Sequence, residues 1–132
     1  MKTKILILSL IYSLIISSVL SAEKKSISCE ELFPDPVERM YVVMTDGKPF
    51  KHTTYEERRI SSNAWMLKDA LKQTSYKTKD IAIIIHNHRA RRKFSNGDWT
   101  FYRDLKRYGF SGLFLHYCHM TEKIYDIEKE SK

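Results

Sequence analysis

Little in this chain would divide it or staple it together. Its 132 residues contain four glycines and three prolines, and no internal repeat, low-complexity tract or linker breaks them up. That excludes repeat arrays and strings of modules and points to one small domain. Two cysteines, Cys29 and Cys118, are too few for a disulfide framework. In an oxidising compartment they can pair and tie the start of the fold to its last part; two unpaired buried thiols is the equal alternative, since sequence gives no distance between them. No cysteine lies near residue 22 either, which argues against lipid attachment there.

The N-terminal stretch MKTKILILSLIYSLIISSVLSA places two lysines ahead of a long apolar run that closes on small residues, with Ser21 and Ala22 both able to precede a cut. It reads as a secretory signal peptide over residues 1–22, followed by a short N-terminal segment at 23–37 and a folded domain at 38–132. Ser9, Tyr12, Ser13, Ser17 and Ser18 interrupt the run and EKK follows it, so a retained transmembrane anchor is the weaker reading. The expected location is periplasmic or secreted, with no stable membrane anchor after cleavage. Removal of residues 1–22 takes away two of the 23 Lys and Arg and none of the 16 Asp and Glu, so the formal charge falls from +7 to +5 on 110 residues. A positive exported domain suits acidic partners such as anionic lipid, nucleic acid or an acidic polymer.

Along the chain, Met40–Thr45 is rich in β-formers and is stopped by Asp46-Gly47, so it reads as a strand, with a short partner within KPFKHTTY. Thr54 with Glu57 forms a capping-box pattern for a helix that carries Ala64, Trp65, Leu67 and Leu71 and fades by Tyr76. Asp80–Ile85 is a short continuous apolar run, the pattern of a central strand buried on both faces with helices over it. A second helix is capped by Ser95, carries Phe101, Tyr102, Leu105 and Tyr108 on one face and Arg103, Lys106 and Arg107 on the other, and ends at Gly109. Gly112–Cys118 and Glu122–Ile127 read as two more strands. The order strand, helix, strand, helix, strand, strand predicts an α/β sandwich on a mixed sheet.

The chemistry gathers in IIIHNHRARRKFSNGD, residues 83–98. Side chains alternate along a strand, so His86 and His88 share a face while Asn87 points to the other. The C-terminal end of a central strand is where ligands gather in open α/β sheets. Zinc would want a third donor, and a short loop can fold back to bring Asp98, in the first turn of the next helix, against the histidines. Ser95 and Asp98 equally satisfy the helix-capping pattern without any metal, and the two roles are compatible.

HNH followed by SNGD resembles the signature of the JAMM, or MPN/JAB, metallopeptidases. The run from Asp80 to Ile127, with GFSGLFLHY and KIYDI, looks most like small prokaryotic JAB domains of the RadC-like kind. The resemblance extends from about Glu38 to the end; its specific part is the span from His86 to Asp98. It implies a JAB/MPN (cytidine-deaminase-like) α/β fold over 38–132. It also implies zinc held by His86, His88 and Asp98, Ser95 supporting the oxyanion, and a glutamate ahead of the first strand as general base. Glu38 matches that place; Glu30, Glu31, Glu56 and Glu57 are rivals. Arg89 stands where the family usually has proline, and the interval from His88 to Ser95 is shorter than usual.

The expected activity is hydrolysis of an amide bond in a peptide or isopeptide-linked substrate. The basic run RARRK, residues 89–93, is either a solvated loop or a surface for an acidic substrate. The alternatives are a metal-dependent phosphodiesterase or nuclease, for which that run would track phosphates, and a non-catalytic JAB-fold binding module. HNH here shares only spelling with HNH nucleases, whose three residues are widely separated. Alternation sets Leu113, Leu115 and Tyr117 on one face and Phe114 and His116 on the other, so His116 is expected as a wall residue rather than a ligand. His119 follows the strand as a rival ligand, and His52 has no assigned role. Trp99, Phe101 and Tyr102 are expected in the core.

Overall fold

The computed structural model describes residues 28–50 and 64–130. Residues 1–22, expected as a signal peptide, the expected Thr54/Glu57 cap, Glu56 and His52 lie outside the described residues. Among the described residues no helix is long and apolar enough to cross a membrane.

The elements are helix α1 (Cys29–Leu32), strands β1 (Met40–Met44) and β2 (Pro49–Phe50), helix α2 (Ala64–Leu71), strand β3 (Ile81–His88), helix α3 (Asn96–Arg107), and strands β4 (Leu113–Cys118) and β5 (Lys123–Asp126). They build a mixed five-stranded sheet in the order β2-β1-β3-β4-β5. Only β3 and β4 run parallel, as the crossover through α3 requires; the other neighbours are antiparallel. The mixed α/β architecture and the central place of the Ile81–Ile85 run are as the sequence predicts.

Strand β1 ends where Met-Tyr-Val-Val-Met meets Asp46-Gly47. Gly47 takes φ 85°, which a side chain resists, and the Asp46 carboxylate accepts from the Lys48 N–H at 2.9 Å. Helix α3 begins on Ser95 and ends with Gly109 at φ 97°. There the Gly109 N–H donates to the Lys106 carbonyl and the Phe110 N–H to that of Leu105, which closes the helix end.

One face of the sheet carries the larger core. Met40, Val42, Met44, Ile84 and Phe114 meet Ala64, Leu67 and Leu71 of α2 and Phe101, Tyr102 and Leu105 of α3. Both long helices therefore cover the same face. The opposite face packs Ile83, Ile85, Leu115 and Tyr117 under Cys29 and Phe33, around the unforeseen helix α1. Burial on both faces is what makes the 81–85 run uniformly apolar. Trp65, grouped with the helix face from sequence, is 58% exposed.

The pairing of β1 with β3 slips between Val43 and Met44, leaving Ala82 as an extra residue, so Ile81 and Ile84 both reach the helical face. Gly112 fits against this bulge: a Cβ there would lie 2.3 Å from the Ala82 carbonyl oxygen and 2.6 Å from that of Ile81. Both cysteines are buried and free. Cys29 packs under one face, and alternation from Tyr117 sets Cys118 on the other.

Candidate metal centre

Strand β3 runs three residues beyond the apolar stretch, so His86 and His88 lie within the strand, at its C-terminal end. They sit on the helical face with Nε2 atoms 3.0 Å apart, and both rings are buried. The loop 89–95 folds back as expected and sets the first turn of α3 against them. His86 Nε2 lies 3.2 Å from Asp98 Oδ1, and His88 Nε2 lies 3.3 Å from Asp98 Oδ2. Ligand atoms of these three residues all fall within 4.8 Å of one another, a grouping able to hold a metal ion.

The spacing suits a small divalent cation. Donors about 2.0–2.1 Å from tetrahedral zinc lie about 3.3 Å from each other, close to the 3.0 Å between the two Nε2 atoms and to the 3.2 and 3.3 Å from each of them to its own Asp98 oxygen. The orientation of His88 agrees. His88 Nδ1 lies 3.1 Å from the Arg91 carbonyl oxygen, which can only accept, so Nδ1 carries a proton and Nε2 is the nitrogen that faces Asp98.

The cap and ligand roles of Asp98 coexist because a carboxylate has two oxygens. Its Oδ2 accepts from the Ser95 N–H at 2.8 Å, while Ser95 Oγ accepts from the Asp98 N–H at 3.0 Å, a complete capping box. Oδ1 is left aimed at His86. Burial opposes charge on Asp98, but hydrogen bonds to His86 and His88, the histidine charge and the Ser95 N–H outweigh it and hold the carboxyl far below its ordinary range.

His116 is a wall residue, as expected. It is fully buried, its ring lies 4.3 Å from that of His88 and 4.4 Å from that of Phe94, and it stacks on Tyr125 at 5.0 Å. Nε2 donates to the Arg92 carbonyl at 2.9 Å, and Nδ1 has no partner among the described residues. Burial, then the neighbouring charges of His88 and His86, push its pKa down to about 3. It is therefore neutral near pH 7. Phe101 and Tyr102 are buried and Trp99 is half-buried, in the core as expected.

Glu38 lies two residues before Met40, which pairs with His86, so continuing that antiparallel register brings its backbone to the level of His88. It is half-buried. Glu30 and Glu31 sit on α1, against the opposite face, and Glu31 is engaged in capping that helix.

Sequence reasoning missed two features. The backbone of the basic loop supplies the carbonyls that orient His88 and His116. Asn87, fully buried on the opposite face, binds the chain on both sides of Glu38: Oδ1 accepts from the Arg39 N–H at 2.7 Å, and Nδ2 donates to the Val37 carbonyl at 3.0 Å and lies 2.9 Å from His119 Nε2. His119 is thus a partner of Asn87 on that opposite face. A polar residue at a fully buried strand position was the available signal for Asn87.

No known protein family, curated protein or solved structure matches the chain.

Proposed function

We propose that this chain is an exported, zinc-dependent metallopeptidase or isopeptidase of the JAMM type on a JAB/MPN-like fold, acting on an amide bond in an acidic substrate. The observation that carries the reading is the convergence of His86, His88 and Asp98 with donor separations of 3.0 to 3.3 Å, from a strand and a helix N-terminus. Zinc held by these residues would supply a Lewis acid that brings the pKa of a coordinated water from 15.7 toward ~7.

The chain's own groups do the rest. Glu38 takes the proton of the attacking water and returns it to the leaving amine. Ser95 keeps its hydroxyl hydrogen while Oγ accepts from the helix, so it can donate to the oxyanion, a contact worth roughly 3 kcal/mol in other enzymes. Arg89, Arg91, Arg92 and Lys93 stand exposed beside the centre, without an ion-pair partner among the described residues, and favour an acidic chain near the scissile bond.

The same four cations favour a second reading, a metal-dependent phosphodiesterase. Charge reversal at Arg91 and Arg92 separates the two. Loss of salt-sensitive binding to single-stranded DNA would support the phosphodiesterase, and no such binding in the unaltered protein would dismiss it. The peptidase reading is tested with Glu38→Gln on fluorogenic acidic peptides and isopeptides: zinc should stay at one equivalent while turnover falls roughly 100-fold or more. Unchanged turnover in that variant would assign the base elsewhere.

A further inference from the structure

The site raises the question of what fixes Glu38. It precedes β1, and α1 packs on the opposite face. A general base displaced by about 1 Å loses much of its effect. One side chain that binds the segment carrying it reaches out of the metal-binding strand itself.

We propose that Asn87 is a positioning residue that sets Glu38 against the metal centre, an inference that rests on the function proposed above. Asn87 lies between the two histidine ligands, so its backbone moves with theirs. Its side chain points to the opposite face, is completely buried, and spends its oxygen on the Arg39 N–H and its amide hydrogens on the Val37 carbonyl and His119 Nε2. The two main-chain bonds bracket Glu38, one residue to each side. Arg39 is clamped further by a two-pronged pair with Asp35, at 2.6 and 3.0 Å. Asn suits this post because it offers an acceptor and two donors together; Asp could not donate to Val37, and Ser or Thr could not span both bonds. Three consecutive strand residues thus divide the labour: 86 and 88 hold the metal, and 87 holds the main chain on either side of the carboxylate that works beside it.

The test is a double-mutant cycle in zinc affinity, read by competition with a chromophoric chelator. Glu38 is an anion at the level of His88, so Glu38→Gln should weaken zinc roughly tenfold, in the range seen when groups around metal ligands are removed. Asn87→Ala should weaken it by a similar factor through the release of Glu38. The double variant should then be no weaker than Glu38→Gln alone. Asn87→Thr, which suits a strand, serves as a second variant should Asn87→Ala fold poorly; circular dichroism checks both. Effects that multiply in the double variant, with zinc bound in the unaltered protein, would overturn the Asn87 assignment alone. Absence of zinc from the folded, unaltered protein would overturn the assignment together with the metal reading beneath it.

Discussion

Replacement of His116 by phenylalanine should flatten the pH dependence of stability by an amount that follows from the burial of this ring. In the folded chain the His116 pKa is pushed from 6.5 down to about 3, first by burial and then by the charges of His88 and His86. The unfolded chain binds a proton near 6.5 that the folded chain refuses. Stability from this group is therefore fully present above pH 6.5 and is lost as pH falls toward 3, at about 1.4 kcal/mol per unit. Between pH 6.5 and pH 5 that is about 2 kcal/mol. Asp98 adds no slope in this window, because its strongly depressed carboxyl is ionised in both states until the pH nears the unfolded value of ~3.9.

His116→Phe keeps a flat ring among Phe94, His88 and Tyr125 and removes the titration. It also loses the bond to the Arg92 carbonyl, which lowers stability by about 1 kcal/mol at every pH and leaves the slope alone. The assay is urea unfolding of chelator-treated protein at pH 7 and pH 5, so that metal release makes no contribution. The expected result is a drop between the two pH values smaller by about 2 kcal/mol in the variant. Equal drops would refute a neutral, buried His116.

Gly112→Ala should destabilise the fold by roughly 3 kcal/mol, since its Cβ would meet the backbone oxygens of the Ala82 bulge at 2.3 and 2.6 Å and backbone cannot turn aside; thermal unfolding measures it, and a near-neutral change would mean that the bulge is absent. Ser95→Ala should cost about 1 kcal/mol through loss of the N-cap. It should also weaken zinc binding several-fold by loosening the first turn that carries Asp98, whose own carboxylate keeps its bond to the residue-95 N–H; calorimetric titration would detect this as a raised Kd, and unchanged affinity would show that the Oγ cap does not orient the ligand.

The parts of this fold that sequence made legible are those where one local rule decides. The apolar run Ile81–Ile85 had to be a central strand because both its faces are covered. Alternation alone separated His86 and His88 from Asn87 and placed His116 in the wall. Ser95 and Asp98 declared the start of α3 through capping chemistry, and Gly109 its end. What stayed hidden depends on contacts distant in sequence. Helix α1 is four residues long and has no periodicity to read; its place follows from Phe33 stacking on Tyr117 at 5.9 Å. That both long helices lie on one face could not be read, since an apolar run is the same whichever layer covers it. The carbonyls of Arg91 and Arg92 belong to a loop whose side chains suggest only solvent and charge. Asn87 spans 48 and 50 positions to reach Arg39 and Val37, a pairing set by strand register rather than by any local pattern.

Metal content shows directly whether His86, His88 and Asp98 hold a metal ion. Purified protein, reconstituted with zinc and freed of loosely held metal, is analysed by elemental mass spectrometry beside His88→Ala and Asp98→Asn. The expected result is one zinc per chain in the unaltered protein and its loss in both folded variants. A folded, unaltered protein that takes up no zinc, or variants that keep it in full, would contradict it.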